Sequence, residues 1–336
     1  MPAFDPELAA LMPPVPAAGI AGAPHLPTIA ELRAQFDQCV TAPFKAYQEP
    51  LLPPSYVYSL RDETVAVEGG EIIVRTVVPV VEDEGETFPV LVHIHGGGRC
   101  VGSIELDDYF LRKLSVDLKL ATVNVEYRLA PEHKFPTAIN DCLAALKWVV
   151  PNEPLLKADL NKGFLVGGHS AGASLAAVVV HEARDDPFFS GPGQQITGQV
   201  IREPLVIHPE VYPDELKPFL LSMNENADLP PIPRASIDRN ISWYNPPPAD
   251  PRFSPLLYPS HANLPRAFVQ GMELDPLRDD AREYARALRA AGVTVRHIEY
   301  PGVTHGFHYG YPAISAAVKV RADLVQGIRW LLEKEA

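Results

Sequence analysis

Long hydrophobic runs are missing from this chain of 336 residues. No apolar stretch reaches the ~18 residues that a bilayer-spanning helix needs, so no membrane span is expected. Cysteine is scarce. Cys39, Cys100 and Cys142 are scattered without C-x-x-C spacing, which argues against a disulfide framework and a zinc site. Neither an H-x-x-x-H pattern nor a cluster of carboxylates appears, so no metal and no cofactor is called for. Positive charge is also short: 29 Lys and Arg face 42 Asp and Glu, a net charge of −13. Nucleic acid and anionic membrane, which need clustered cations, are therefore not expected partners. The N-terminal stretch carries Asp5 and Glu7 and is broken by prolines, unlike a signal peptide, so a reduced, cytoplasmic protein is expected. The acceptor pattern Asn240-Ile241-Ser242 is then incidental.

What is present is an apolar fraction of 46%, enough for a sizeable core, and an unusual 36 prolines. The prolines cluster at Pro13–Pro16, Pro50–Pro54, Pro230–Pro233 and Pro246–Pro251, marking irregular excursions from a regular scaffold. Apolar segments read as strands at Thr64–Val67, Glu71–Val78 (after a Gly69-Gly70 turn), Pro89–His95, Ala121–Glu126, Gly163–Gly167, Gly198–Ile207, Arg266–Gln270 and Val293–Tyr300. Helical patterns fall at Thr28–Ala46, Asp107–Leu120, Thr137–Val149, Ala173–Val180, Arg278–Ala291 and Ala313–Glu333. Strands alternating with helices predict an α/β fold with a mostly parallel, two-sided sheet. Residues 208–262 break that rhythm where the next strand and helix should start.

The chain is organised around Gly168-His169-Ser170-Ala171-Gly172, between a buried strand and a helix. This is the G-x-S-x-G elbow, a strained turn that lifts a serine hydroxyl above the end of a sheet. Alone the pattern is weak, but two residues nearer the C-terminus strengthen it. Asp275 comes just after one strand and His305 just after the next, the chain order of serine, acid and histidine that nucleophilic catalysis on such a sheet requires. A serine hydroxyl is a poor nucleophile until a histidine takes its proton, and a carboxylate fixes that histidine's tautomer. Glu273 and Asp279 compete with Asp275, and His308 competes with His305. Asp275, with Pro276 behind it, holds the early loop position, and Thr304-His305-Gly306-Phe307 follows its strand directly. His93 and His208 read as structural histidines. His169 should turn into the elbow, where it packs and borders the substrate. A second signal is His95-Gly96-Gly97-Gly98, a loop whose amides can approach an oxyanion, joined by the amide of Ala171.

Residues 93–103 (HIHGGGRCVGS), Tyr127–Phe135 (YRLAPEHKF), 168–172 (GHSAG), Asp275–Asp279 (DPLRD) and 301–307 (PGVTHGF) together resemble the hormone-sensitive-lipase-like esterases, bacterial family IV and its fungal relatives. The resemblance runs from about residue 60 to the C-terminus. It implies an α/β-hydrolase fold, a triad of Ser170, Asp275 and His305, and an oxyanion hole of Gly97, Gly98 and Ala171. It also implies a helical cap made of residues 1–55 and 208–262 over a core of 56–207 and 263–336. The implied activity is that of a serine carboxylesterase on small short-chain esters, without cofactor, and it admits a homodimer. The readings beside it are a dedicated deacetylase, lactonase or amidase, and a non-catalytic small-molecule receptor, against which all three triad residues are present. Trp243 and Tyr244 are candidates for shaping the pocket. Arg99 departs from the resemblance, standing where an aromatic or aliphatic residue is common. It is read either as a partner for a negative or polar group of the substrate, or as turned to solvent or paired with Glu105 or Asp107.

Overall fold

The structure, a computed structural model, describes residues 3–12 and 27–333. The proline cluster Pro13–Pro16 lies outside the described residues. Eight strands form one sheet: β1 (Tyr58–Val67), β2 (Gly70–Pro79), β3 (Val90–Ile94), β4 (Ala121–Glu126), β5 (Phe164–His169), β6 (Gly198–Arg202), β7 (Arg266–Met272) and β8 (Val295–Tyr300). Their spatial order is β1-β2-β4-β3-β5-β6-β7-β8. The first two pair antiparallel with each other, and β2 pairs antiparallel with β4. From β4 to β8 every pairing is parallel.

Helices α1 (Pro6–Leu11), α2 (Ile29–Phe36) and α3 (Ala42–Gln48) precede the sheet, and α4 (Asp108–Leu118), α5 (Thr137–Val149) and α6 (Ala171–Asp185) alternate with its strands. Between β6 and β7 come α7 (Ser222–Glu225) and α8 (Arg234–Tyr244). The chain continues with α9 (Arg278–Ala290), α10 (Phe307–Gly310) and α11 (Ser315–Leu332). Strand side chains alternate faces. Val90, Val92 and Ile94 of β3 and Phe164 and Val166 of β5 therefore share one core with α5, α6 and α9. Leu91 and Leu165 point the other way, into a core with Phe44 of α3, Leu111 and Leu114 of α4, and Ile328 of α11. Covered on both sides, these strands need continuous apolar runs, which is what made them readable. None of the helices among the described residues is long and apolar enough to cross a membrane.

Three expectations shift. The β1–β2 hairpin is longer, and its turn is Glu68-Gly69, so Gly70 already pairs with Val67. The strand expected over Gly198–Ile207 stops at Arg202, because Glu203 adopts a φ of +54°, outside any strand conformation, and Pro204 cannot donate to a ladder. The Thr28–Ala46 helix has its expected capping box, with Glu31 N donating to Thr28 Oγ1 at 3.3 Å, but widens into a π-type turn at Asp37–Thr41 before α3. Arg33 of α2 ties this segment to the sheet end through the carbonyls of Cys100 (3.0 Å) and Ala130 (3.1 Å) and through Glu132 (2.7 Å).

The elbow requires the closest packing. A Cβ on Gly172, in the first turn of α6, would stand 2.0 Å from the carbonyl oxygen of Ile94 and 2.5 Å from that of His95. Backbone on both sides leaves nothing that can yield. Gly172→Ala should therefore lower stability by about 3 kcal/mol, the upper range for overpacking, measured as the shift in denaturant midpoint.

Candidate active site

Ser170 stands between β5 and α6 with φ +54° and ψ −120°, a backbone region that costs an L-residue strain. Its amide donates to Arg202 O at 2.8 Å, and Ser174 Oγ donates to its carbonyl at 3.1 Å, so the turn is held from both sides. Its Oγ lies 2.9 Å from His305 Nε2, and His305 Nδ1 lies 2.7 Å from Asp275 Oδ2. The other Asp275 oxygen accepts the Leu277 amide at 2.8 Å, which fixes the carboxylate in one orientation. Asp275 and His305 are both buried. The competing acids are committed elsewhere: Glu273 accepts the Gly302 amide (2.7 Å), and Asp279 accepts the amides of Leu221 and Ser222 and pairs with Arg278.

A second carboxylate reaches the same histidine, and the sequence reading missed it. Glu203, fully buried just past β6, places Oε2 3.4 Å from His305 Nδ1 and 3.4 Å from His169 Nε2, and accepts the Gly306 amide at 2.5 Å. Its other oxygen lies 3.1 Å from His308 Nε2, which is also 3.1 Å from the Arg202 guanidinium. Burial works against charge on Glu203, but His169 and His305 outweigh it and hold its carboxyl well below the usual range. Burial likewise opposes charge on His305, yet the neighbouring Asp275 and Glu203 carboxylates raise its pKa. His308, buried and next to Arg202, falls to about 3 and stays neutral. The available signal was the pair Arg202-Glu203 interrupting an apolar run, a costly insertion unless both charges are used. His93 is held by Asp107 at 2.9 Å, and His208 accepts the Glu210 amide at 3.2 Å.

The His95–Gly98 loop follows β3, beside the elbow. Gly97 has φ +114°, and a Cβ there would come 2.0 Å from Val101 O, so only glycine fits the turn. Tyr127 supports the loop, donating to His95 O at 3.0 Å and stacking on the His95 ring. Burial takes His95 down to about 4, so that ring is neutral. The amides of Gly97, Gly98 and Ala171 donate to no acceptor among the described residues. They are free for a ligand oxygen.

Ser170, His305, the Gly97–Arg99 stretch and His169 border a cavity of about 570 Å³. Its outer walls come from α2 and the π-type turn (Phe36, Val40) and from α8 (Ile237, Asn240, Ile241). Trp243 and Tyr244 do not line it. Tyr244 lies beyond Ile241 on α8 and is spent in the core against Phe135 and Phe253, while Trp243 lies over Arg239. Arg99 is not turned to solvent and, among the described residues, is not paired with an acid. It is 4% exposed, Glu105 is taken by Lys45 and Arg75, and Asp107 by His93 and Tyr309.

Two groups, His169-Glu203-His308 and Glu203-Asp275-His305, bring one donor atom from each residue within 4.8 Å of one another. Those donors are engaged with one another, with Ser170 and with the Gly306 amide, and Arg202 stands against His308. The set fits a hydrogen-bonded network better than a cation.

The alpha/beta hydrolase fold family matches residues 91–309. An AB hydrolase superfamily protein of Schizosaccharomyces pombe is 34% identical over 98% of this chain and 94% of its own length. A carboxylesterase of Mycobacterium tuberculosis, NlhH, is 39% identical over 76% of this chain and 78% of its own. The crystal structure of vibralactone cyclase superposes with a TM-score of 0.92 at 38% identity, covering 98% of this chain and 95% of that one.

Proposed function

The chain belongs to the α/β-hydrolase fold family and is an esterase, and from that premise we propose that it cleaves small carboxylic esters through an acyl-enzyme on Ser170. The observation that carries the reading is the Ser170–His305–Asp275 relay, with its 2.9 and 2.7 Å contacts. His305 Nδ1–H donates to Asp275, which leaves Nε2 unprotonated toward Ser170. As the hydroxyl attacks the ester carbonyl, Nε2 takes its proton, and the imidazolium then passes that proton to the leaving alcohol. The negative oxygen of the tetrahedral intermediate is received by the amides of Gly97, Gly98 and Ala171, each such donor contributing about 3 kcal/mol. A water activated by the same histidine then releases the acid. In this reading the cap expected of residues 1–55 and 208–262 covers the site: Phe36 and Val40 on one side and Ile237 and Ile241 on the other give the cavity apolar walls suited to a small ester.

The test is turnover of a 4-nitrophenyl ester series from acetate to laurate, together with labelling by a fluorophosphonate. Short esters should be hydrolysed, and the label should map to Ser170. The likeness to vibralactone cyclase favours a second reading, a dedicated natural-product deacetylase, lactonase or amidase. Labelling of Ser170 without turnover of any simple ester would select it. Failure of both would overturn both.

A further inference from the structure

Among the described residues, the cavity wall contains no Asp or Glu, although the chain as a whole carries a net charge of −13. It does contain two arginines, Arg99 and Arg239. Neither makes a salt bridge or side-chain hydrogen bond within the described residues, and the Nε of each is buried without a partner. Arg99 is the more demanding case. Its guanidinium lies 4.9 Å from the centre of the Phe253 ring and 5.2 Å from that of Tyr244. Rings laid against a guanidinium satisfy its faces. Its N–H groups point outward in its own plane and still require acceptors. Burial disfavours the charged form of Arg99, and among the described residues no carboxylate pairs with it to counter that. A buried cation left in this state costs several kcal/mol, which a chain with a surplus of acids has ample means to avoid. The Tyr244 hydroxyl beside it is likewise buried without a partner.

We propose that the cavity is built for esters that also carry a free carboxylate, which Arg99 receives through its paired N–H groups while Arg239, on the α8 side of the same cavity, draws it in. The inference rests on the esterase reading above and names its substrate class. Arg99 directly follows Gly98, one peptide or about 3.8 Å along the chain. The carboxylate therefore binds within one arginine side chain of the scissile carbonyl. A planar carboxylate matches the guanidinium fork, so lysine is a poor substitute.

The experiment compares charged esters with neutral isosteres. On the acyl side, mono-4-nitrophenyl adipate is set against its methyl diester; on the alcohol side, 4-acetoxybenzoate is set against methyl 4-acetoxybenzoate. In at least one pair the carboxylate should raise kcat/KM tenfold or more. That ratio should collapse to about one in Arg99→Met, fall part of the way in Arg99→Lys, and shrink for Arg239→Met. Because it is measured within each variant, it is insensitive to partial loss of folded protein. A neutral ester equal to or better than its charged partner in both pairs, or a ratio that survives Arg99→Met, would make Arg99 a hydrated structural cation and overturn the inference. Neutral turnover that is lost in Ser170→Ala would leave the esterase reading standing in that event. Turnover of none of the four would remove both.

Discussion

Ser170→Ala should lower kcat toward simple esters by about 10⁴ to 10⁶-fold, the range found when one member of an acyl-transfer triad is removed. This corresponds to about 5 to 8 kcal/mol of transition-state stabilisation. The residual rate reflects the uncommitted amides of Gly97, Gly98 and Ala171, which still bind an oxyanion formed by attacking water. Folding should be nearly untouched. Among the described residues the Ser170 hydroxyl hydrogen-bonds only to His305, and the backbone strain at φ +54° remains with alanine. Thermal unfolding of both proteins, run beside the rate measurement, separates the two effects. Unimpaired turnover in the variant would sink the mechanism, and a large fall in Tm would show that the serine is structural.

Asp275→Asn should be less damaging than in a site with one carboxylate. Where a single aspartate orients the histidine, the change costs about 10⁴-fold because the wrong tautomer is favoured. Here Glu203 Oε2 stands 3.4 Å from the same Nδ1 and can accept its proton, so the loss should be about 10² to 10³-fold. The remainder should disappear when Glu203→Gln is added. The cost of Glu203→Gln is then much larger in the Asp275→Asn background than in the wild type. Such non-additivity is the signature of two groups serving one function. Equal costs in both backgrounds would confine Glu203 to holding the Gly306 amide, which glutamine also does.

The pH profile gives an independent reading of the same pair. In the proposed mechanism His305 must be neutral to act as base, and the two carboxylates raise its pKa by favouring the imidazolium. Removing one negative charge destabilises the imidazolium and lowers that pKa. The acidic limb of kcat/KM should accordingly move to lower pH in Glu203→Gln, so that relative activity at acid pH rises even as maximal kcat falls. A limb that stays in place, or moves up, contradicts a charge acting on the histidine.

Local rules made the scaffold readable, along with the loop positions of Ser170, Asp275 and His305. A G-x-S-x-G turn announces itself because nothing but glycine can stand where a Cβ of residue 172 would meet the Ile94 carbonyl at 2.0 Å. The buried strands announce themselves because helices on both faces demand unbroken apolar runs. Asp275 and His305 follow from their positions in the loops after β7 and β8. Glu203 was hidden by the opposite circumstance. It sits in a run that reads as strand to Ile207, and only the left-handed turn at residue 203 swings its carboxylate beneath the histidine. The cap aromatics misled for a similar reason. Periodicity says that α8 is a helix, but not that Ile237, Asn240 and Ile241 meet the cavity while Tyr244 is used by the core.

By itself, the sequence determined the parallel sheet, the elbow turn, the glycine loop and the chain order of Ser170, Asp275 and His305, because each depends on backbone sterics or periodicity within a few residues. Only the tertiary structure decided what surrounds them. Glu203 and His305, separated by about a hundred positions, meet through the packing of parallel strands. Arg99 was free in the sequence to seek solvent or Glu105, and it was turned inward by the choices of its neighbours: Lys45 and Arg75 hold that acid, and the Tyr244 and Phe253 rings close over the guanidinium. Whether a charge is solvated, paired or left waiting for a ligand depends on which groups lie within a few ångströms of it, and folding alone sets that.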